Sequence, residues 1–496
     1  MVYQGPSRGC HSCRRRRKKC DETRPSCLRC VRAKLPCHGY EVDSAFTFRQ
    51  RPPQLPVQSA PFVSIARKCG LPKRMPIAES GELPEDGLPP GVTQQDSDWI
   101  AFRALLYNYC VVPANGNLSS GYFADLEPLA LRLGPNSSLV RACSAVSLAS
   151  GGKVLRRPNL VRRADLLYHD VVRDISSALA NRGPSYSREL ELVVLLLGLY
   201  EMITSSSQKC GNHAVHFAGW AAISGIDPSF ESFIIFYRPH MNAQVTARFA
   251  LSGHHVDEKC LDTLLLDVYQ LLQSWHSACL PRNSELAYRN ALELDAQLVR
   301  WKDSVSPQAA PTVLSNRASN PSFRTAASTP SFWTNKTEIY LDLHVAGVWN
   351  VFRVARLLLH ELILQSCERQ STIGQNEIGQ HISEALSIAE EILASIPFHL
   401  LDTLQISVVN NVAHTQMEDI GRVLGGFLLL HPLYVVMQMS FLPHNMKSYC
   451  KECLEWINLE MGIGYAEVLA NNPTLDIDFL ISGFLLIWSG ASQSAR

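Results

Sequence analysis

Hydrophobic positions from Ser97 onward recur at the three- and four-residue spacing of amphipathic helices. The clearest example covers 160–179, where apolar side chains share one face and Gly183-Pro184 predicts the end of the helix. The segment 189–203, ELELVVLLLGLYEMI, is apolar on nearly every side and predicts a central buried helix. The alternation typical of strands is almost absent. The pattern therefore predicts an all-α body over residues 98–496.

Other parts of the chain complete this outline. Similar helical segments are expected at 211–224, 228–252, 257–280, 284–304, 336–369, 375–396 and 417–441. The Ser-, Pro- and Ala-rich stretch 305–334 is expected to be a long mobile loop within the body. Residues 41–97 contain nine prolines and no sustained apolar period, which predicts a flexible linker. Because no heptad repeat survives these prolines, either the segment before them binds as a monomer or the body carries dimerisation.

Composition separates a small basic head, residues 1–40, from the rest of the chain. The head holds eleven Lys or Arg against two acidic residues, although the whole chain of 496 residues has a net charge of only +1. This asymmetry indicates a polyanionic partner for the head alone. No uninterrupted apolar run is long enough to span a membrane, and the amino terminus lacks the apolar core of a secretion signal. We therefore expect no membrane partner.

Six cysteines occupy 28 residues of the head with the spacing C-x2-C-x6-C-x6-C-x2-C-x6-C. They are Cys10, Cys13, Cys20, Cys27, Cys30 and Cys37. Without a secretion signal, clustered thiols favour metal over disulfides. One tetrahedral zinc would leave two thiols unused, whereas six thiolates can hold two Zn2+ if two sulfurs bridge the ions. Because a segment this short cannot bury enough apolar surface to fold alone, bound metal must supply most of its folding free energy.

The C-x2-C-x6-C unit repeats after 17 residues, and the repeat suggests how the thiolates are shared. The first cysteine of each half, Cys10 and Cys27, is the natural bridging ligand. Cys13 and Cys20 would then complete one ion, and Cys30 and Cys37 the other.

The head resembles the fungal Zn2Cys6 binuclear-cluster DNA-binding domain. The six cysteines match without a gap, as do the basic run between the second and third cysteines and Pro25 in the connecting loop. In that family each C-x2-C opens a short helix, the halves meet at the metal pair, and the first helix reads a CGG-type triplet. The resemblance therefore implies a zinc-clamped two-helix domain, two Zn2+ per chain and double-stranded DNA as a partner.

The same resemblance assigns DNA contacts to basic residues. Arg17 stands where the family pattern usually has Lys, and both residue types can bond guanine in the major groove. We expect Arg16 and Arg17 to reach base edges. Phosphate contacts are expected from Arg14, Lys18, Lys19, Arg29, Arg32 and Lys34. The alternative is that the run serves only as a solvated nuclear-import signal; both interpretations place the protein in the nucleus.

Short apolar segments of the body resemble the fungal-specific transcription factor regulatory domain. They are LLLGLYE (195–201), HFAGW (216–220), WNVFRVARLLLH (349–360), ASIPFHL (394–400) and GGFLLLHPLYVV (425–436). The resemblance implies an all-helical module for regulation and self-association, with a homodimer and the transcription machinery as partners. It implies no catalytic residues.

Possible further sites in the body are expected to be structural. His213 and His216 fit a helical core, the Cys450–Cys453 pair has no second pair nearby, and no third ligand joins His254-His255 or His360-Glu361. Packing is favoured over an anionic effector for Arg353 and Arg356. Asp476 and Asp478 lie in a stretch equally suited to an activation segment or to the core.

The sequence thus predicts a nuclear regulator that binds CGG-type sites and controls a biosynthetic gene cluster or a local metabolic pathway. The alternative is a zinc-headed scaffold or co-regulator without sequence-specific DNA binding. No phosphate loop, nucleophile elbow or dinucleotide fingerprint is present, so an enzyme is not expected.

Overall fold

A computed structural model describes residues 12, 13, 16, 18, 20, 21, 27–33 and 37 of the head. Beyond the head it describes 92–113, 118–119, 121–182, 187–207, 216, 261–276, 284–315, 333, 336–369, 374–401 and 422–472. The chain divides into two units, Met1–Glu82 and Leu83–Arg496. Four predictions fall outside the described residues: the linker at 41–97 except for 92–97, the helix at 228–252, all but His216 of the helix at 211–224, and the segment holding Asp476 and Asp478.

The described residues are predominantly helical, which confirms the all-α prediction. In the head, α1 spans Leu28–Arg32. The second unit contains α2 Gln94–Tyr109, α3 Leu126–Leu133, α4 Ser138–Val154, α5 Pro158–Arg182, α6 Arg188–Thr204, α7 Leu261–His276 and α8 Ser284–Ser304. It continues with β1 Thr312–Ser315, β2 Lys336–Ile339, α9 Leu343–Glu368, α10 Gln375–Leu400, α11 Val423–Gln438, α12 His444–Met461 and α13 Gly464–Asn471.

Local signals in the sequence explain where several helices begin and end. Thr93 starts α2 with a capping box: its hydroxyl accepts from the Asp96 amide at 3.1 Å, and the Asp96 carboxylate accepts from the Thr93 amide at 2.9 Å. The helical part therefore begins a few residues before the expected Ser97. Helix α5 begins at Pro158, where the missing amide hydrogen costs nothing, and its end at Arg182 directly precedes Gly183-Pro184.

One hydrophobic core runs through the described part of the second unit. Helix α4 packs against α2, α5 and α6, while α9 packs against α8, α10 and α11. Helices α11, α12 and α13 pack in succession and also contact α2, α4 and α6. Most residues of α6 are buried, as the apolar sequence over 189–203 predicted. None of the helices in the described ranges is long and apolar enough to cross a membrane.

The structure departs from the expected helix over 336–369 and from the expected loop over 305–334. Strands β1 and β2 pair antiparallel, with Thr312 opposite Ile339, and α9 begins only at Leu343. Val305 and Ala309 of the expected loop are buried, and the Ala309 carbonyl accepts a 2.8 Å hydrogen bond from the Trp349 indole. Each strand has four residues, which is too short for a period of two to stand out in the sequence.

Candidate zinc cluster and nucleic-acid interface

Three thiols of the head meet in a buried cluster. The Cys13 sulfur lies 3.7 Å from that of Cys27 and 3.9 Å from that of Cys30, and all three side chains are completely buried. Sulfurs bound to one tetrahedral zinc lie roughly 3.8 Å apart, given a Zn–S bond of about 2.3 Å. Cys20 and Cys37 are partly buried against this cluster. The spacing of these thiols therefore suits zinc, which the cysteines would bind as thiolates.

Helix α1 positions two of these thiols. Cys27 is its amino-terminal cap, and the Cys27 sulfur accepts from the Cys30 amide at 3.3 Å. The Cys37 sulfur accepts from the Cys27 amide at 3.4 Å, which brings the last cysteine to the same end of the helix. These bonds place α1 with its first turn against the cluster.

Asp21 is a site residue whose role the sequence did not reveal. One of its carboxylate oxygens accepts from the Leu28 amide at 3.0 Å, and the other accepts from the Arg29 amide at 2.8 Å. These are amides of the first turn of α1, which have no partner within the helix. Asp21 directly follows Cys20, so its carboxylate ties the first half of the cysteine repeat to the helix of the second half. In the sequence, the signal for this role was an acidic residue directly after Cys20, a predicted zinc ligand.

The basic side chains of the head do not all point away from the cluster. The Arg16 guanidinium donates to the Ser12 carbonyl at 3.1 Å and to the Cys30 sulfur at 3.3 Å. Arg16 was expected at a base edge, but here its guanidinium lies against the thiols. Arg16 therefore contacts both the thiol cluster and the backbone just before it.

The other predicted DNA contacts divide between exposed and undescribed residues. Lys18, Arg29 and Arg32 are exposed, and the last two border a cleft also lined by Asp21 and Leu28. The backbone amide of Lys18 donates to the Cys13 carbonyl at 3.0 Å. Five predicted site residues lie outside the described part of the chain: Cys10, Arg14, Arg17, Lys19 and Lys34.

Two arginines of α9 that were considered for an anionic effector are paired with carboxylates. Arg353 donates to Glu338 at 2.7 Å and to Glu391 at 3.1 Å. Arg356 donates to both oxygens of Asp295, at 2.6 and 2.8 Å. These pairs agree with the expectation that the two arginines serve packing.

The remaining candidates in the body also have structural surroundings. Burial raises the pKa of the Cys450 thiol well above its ordinary value and that of Cys453 to about 12, so both stay protonated. The Tyr168 hydroxyl lies 3.0 Å from His216 Nε2, and burial lowers the pKa of His216. His213, His254 and His255 lie outside the described residues. His360 faces Asp295 of α8 and His381 and Glu384 of α10, neighbours that the sequence did not suggest.

Comparison with known proteins supports the assignment of the head. Residues 8–45 match the fungal Zn(2)-Cys(6) binuclear cluster domain. The Transcriptional regulatory protein moc3 of Schizosaccharomyces pombe is 47% identical over 55 residues, which are 10% of this chain and 11% of the relative. The Aspercryptin biosynthesis cluster-specific transcription regulator atnN of Emericella nidulans is 50% identical over 52 residues, 10% of this chain and 8% of the relative.

A further comparison extends over most of the chain. Transcription factor dbaG of Emericella nidulans is 32% identical over 423 residues, covering 82% of this chain and 99% of that protein. No solved structure matches the chain. The similarity thus reaches far beyond the cysteine-rich head and confirms a DNA-binding transcription regulator rather than an enzyme. The chain belongs to the fungal transcription factors that carry a Zn(2)-Cys(6) binuclear cluster domain.

Proposed function

We propose that this chain binds CGG-type DNA sites through two Zn2+ held by six thiolates, and that it regulates transcription of a biosynthetic gene cluster or local metabolic pathway in the nucleus. The observation that carries the proposal is the 3.7 Å separation of the Cys13 and Cys27 sulfurs, which suits two thiolates on one ion. In this proposal residues 1–40 form the DNA-binding head, 41–97 the linker and 98–496 the regulatory body.

In the proposed cluster Cys10 and Cys27 bridge the two ions. The place of Cys27 supports this scheme, because its sulfur lies close to Cys13 of the first half and accepts from the amide of Cys30 in the second. Cys13 and Cys20 complete one ion, and Cys30 and Cys37 the other.

The basic residues then divide by what they contact. Arg17 reads a guanine of the CGG triplet, while Arg16 supports the Cys30 thiolate instead of reaching a base. Phosphate contacts come from Arg14, Lys18, Lys19, Arg29, Arg32 and Lys34. A side chain that contacts only phosphate adds affinity without adding sequence preference.

The body contributes self-association and contact with the transcription machinery. The homodimer is assigned to the body because the prolines of 41–97 leave no heptad repeat behind the head. Control of a biosynthetic gene cluster is supported by one relative whose name describes a cluster-specific regulator of aspercryptin biosynthesis.

Selection from a pool of randomised duplexes tests the function on the full-length chain. We expect enrichment of CGG triplets by the wild type and none by Cys13→Ser, because the variant removes a thiolate from the cluster. Selection of duplexes without any shared triplet would contradict the proposal and favour the scaffold alternative.

The role of Arg17 can be tested with matched variants. Arg17→Ala should lose about 5- to 150-fold affinity for a CGG duplex, the value of a good bidentate base contact, and Arg17→Lys should recover part of it. Lys18→Ala is the control, since loss of a phosphate contact should weaken CGG and scrambled duplexes alike. Both titrations need one fixed salt concentration because counterion release makes binding depend on salt. Equal losses of Arg17→Ala on both duplexes would make Arg17 a phosphate contact.

A further inference from the structure

Two helices of the body bring two histidines and a glutamate together. His360 lies on α9, and His381 and Glu384 lie three residues apart on one face of α10. One ligand atom from each of the three side chains lies within 4.8 Å of the others, and His360 Nε2 is 3.7 Å from a Glu384 oxygen. These atoms belong to residue types that bind divalent transition metals.

The histidines of this cluster have unsatisfied ring nitrogens. The His360 side chain is 1% exposed, yet neither of its nitrogens has a hydrogen-bond partner. His381 Nδ1 is also buried without a partner, and the two ring centroids are 5.6 Å apart. Buried polar atoms are nearly always hydrogen-bonded, so unpaired nitrogens on facing rings require an explanation. A bound cation that accepts their lone pairs provides one.

The charges around the cluster favour such a cation. Asp295 of α8 has an oxygen 3.8 Å from His360 Nε2, but both of its oxygens accept from Arg356. The carboxylate of Glu384 is 44% exposed and 3.7 Å from His360. Because Arg356 balances Asp295, Glu384 leaves the group with a net negative charge.

We propose that the body binds a divalent transition metal, with Zn2+ the best match, through His360, His381 and Glu384, and with water as the fourth ligand. Two imidazoles and one carboxylate with an open position form a known type of zinc site. Ligand atoms in such a site lie roughly 3.4 Å apart, given bonds of about 2.0–2.1 Å, so the 3.7 Å separation needs only a small closure. The metal joins α9 to α10 and makes the stability of the regulatory body depend on metal supply.

This site is separate in the sequence from the six cysteines of the head, so zinc content tests it directly. Untagged full-length protein is equilibrated with buffered Zn2+, freed of unbound metal and analysed for zinc per chain. Wild type should hold one zinc more than Glu384→Gln or His381→Asn. Both variants change side chains at the partly exposed side of the cluster, which avoids the buried His360. Glu390→Gln on the exposed side of α10 is the control and should keep the wild-type content.

A head variant separates this inference from the proposed function. Cys13→Ser should lose zinc from the head and still lose one further zinc when combined with Glu384→Gln. Added Zn2+ should also raise the Tm of the Cys13→Ser chain but not that of the double variant. Equal zinc contents in wild type, Glu384→Gln and His381→Asn would overturn the body site whatever the head holds. Unchanged content in Cys13→Ser would instead count against the cluster of the head.

Discussion

The ion-pair network around Arg353 offers the sharpest test of how the body is held together. The Arg353 side chain is 1% exposed and donates to Glu338 of β2, which is 6% exposed, at 2.7 Å. It also donates to the Tyr340 hydroxyl at 2.7 Å and to Glu391 of α10 at 3.1 Å. One guanidinium therefore connects β2, α9 and α10. We expect Arg353→Met to be among the most destabilising single changes in the body.

The size of the effect follows from the burial of the partners. Methionine is flexible and fills most of the space, so the cavity contribution is small. Glu338, however, would be left buried without its cation, and breaking a buried pair in this way costs about 3–5 kcal/mol. Glu391 is 37% exposed, so its share of the network should be below about 1 kcal/mol. The loss of about 3–5 kcal/mol in Arg353→Met is a large part of the roughly 5–15 kcal/mol that holds a typical domain folded.

The measurement is urea unfolding of the full-length chain, followed by circular dichroism and by tryptophan fluorescence. Trp349 reports on this region because the Arg353 guanidinium lies 5.9 Å from its ring centre. The double variant Arg353→Met/Glu338→Gln should recover much of the lost stability, since it leaves no buried charge unpaired. A loss below about 1 kcal/mol in Arg353→Met would refute the reasoning, as would a double variant less stable than the single one.

Three further predictions concern other parts of the molecule. Asp21→Ala removes the carboxylate that accepts from two first-turn amides of α1, and it should weaken zinc retention by the head by about 1 kcal/mol in a chelator competition, whereas Asp21→Asn should lose less. Gly425→Ala should destabilise the body by about 1–3 kcal/mol or more in urea unfolding, because the added Cβ would lie 1.8 Å from the His399 carbonyl oxygen. Gly379→Ala is the control: the space around Gly379 is open, so this change should be neutral or slightly stabilising. Burial lowers the pKa of His399 to about 4. As the pH falls from about 6.5 to about 4, the unfolded chain therefore binds a proton that the native chain does not, and the free energy of unfolding should fall by about 3 kcal/mol. His399→Phe should reduce this dependence on pH.

The sequence was most informative where one type of chemistry repeats at fixed spacing. The six cysteines predicted a shared metal site, and Cys13, Cys27 and Cys30 do lie together. Helices with a clear apolar face or strong end signals were also predicted well: 284–304 coincides with α8, and Gly183-Pro184 predicted the end of α5. In these cases the signal is local, so neighbouring residues suffice to read it.

Features that depend on distant residues were missed. Strands β1 and β2 are more than twenty residues apart in the sequence, and β2 is held by packing on α10 and by the hydrogen bond that Arg353 donates to Glu338. Helix α10 continues to Leu400 through Pro397, beyond the expected end at 396, because packing outweighs the loss of one backbone hydrogen bond.

The histidine cluster shows the same difficulty in a site. In the sequence His360 stands next to Glu361, but Glu361 accepts from the Ser440 amide at 3.1 Å. The groups that face His360 come from α10 and α8, and no spacing within α9 could have identified them. The pair His381 and Glu384, at i and i+3, was the available clue.

The contact between Arg16 and Cys30 changes how the basic run of the head is understood. In the proposed cluster the charge of six thiolates exceeds that of two Zn2+, so the metal site is anionic and stabilises a nearby cation. Arg16 satisfies this need, since it donates to the Cys30 sulfur at 3.3 Å and to the Ser12 carbonyl at 3.1 Å. A guanidinium held by these two bonds would have to give them up to reach a base. The proposed function therefore assigns the reading of guanine to Arg17 and assigns Arg16 to the cluster that presents the basic run to DNA.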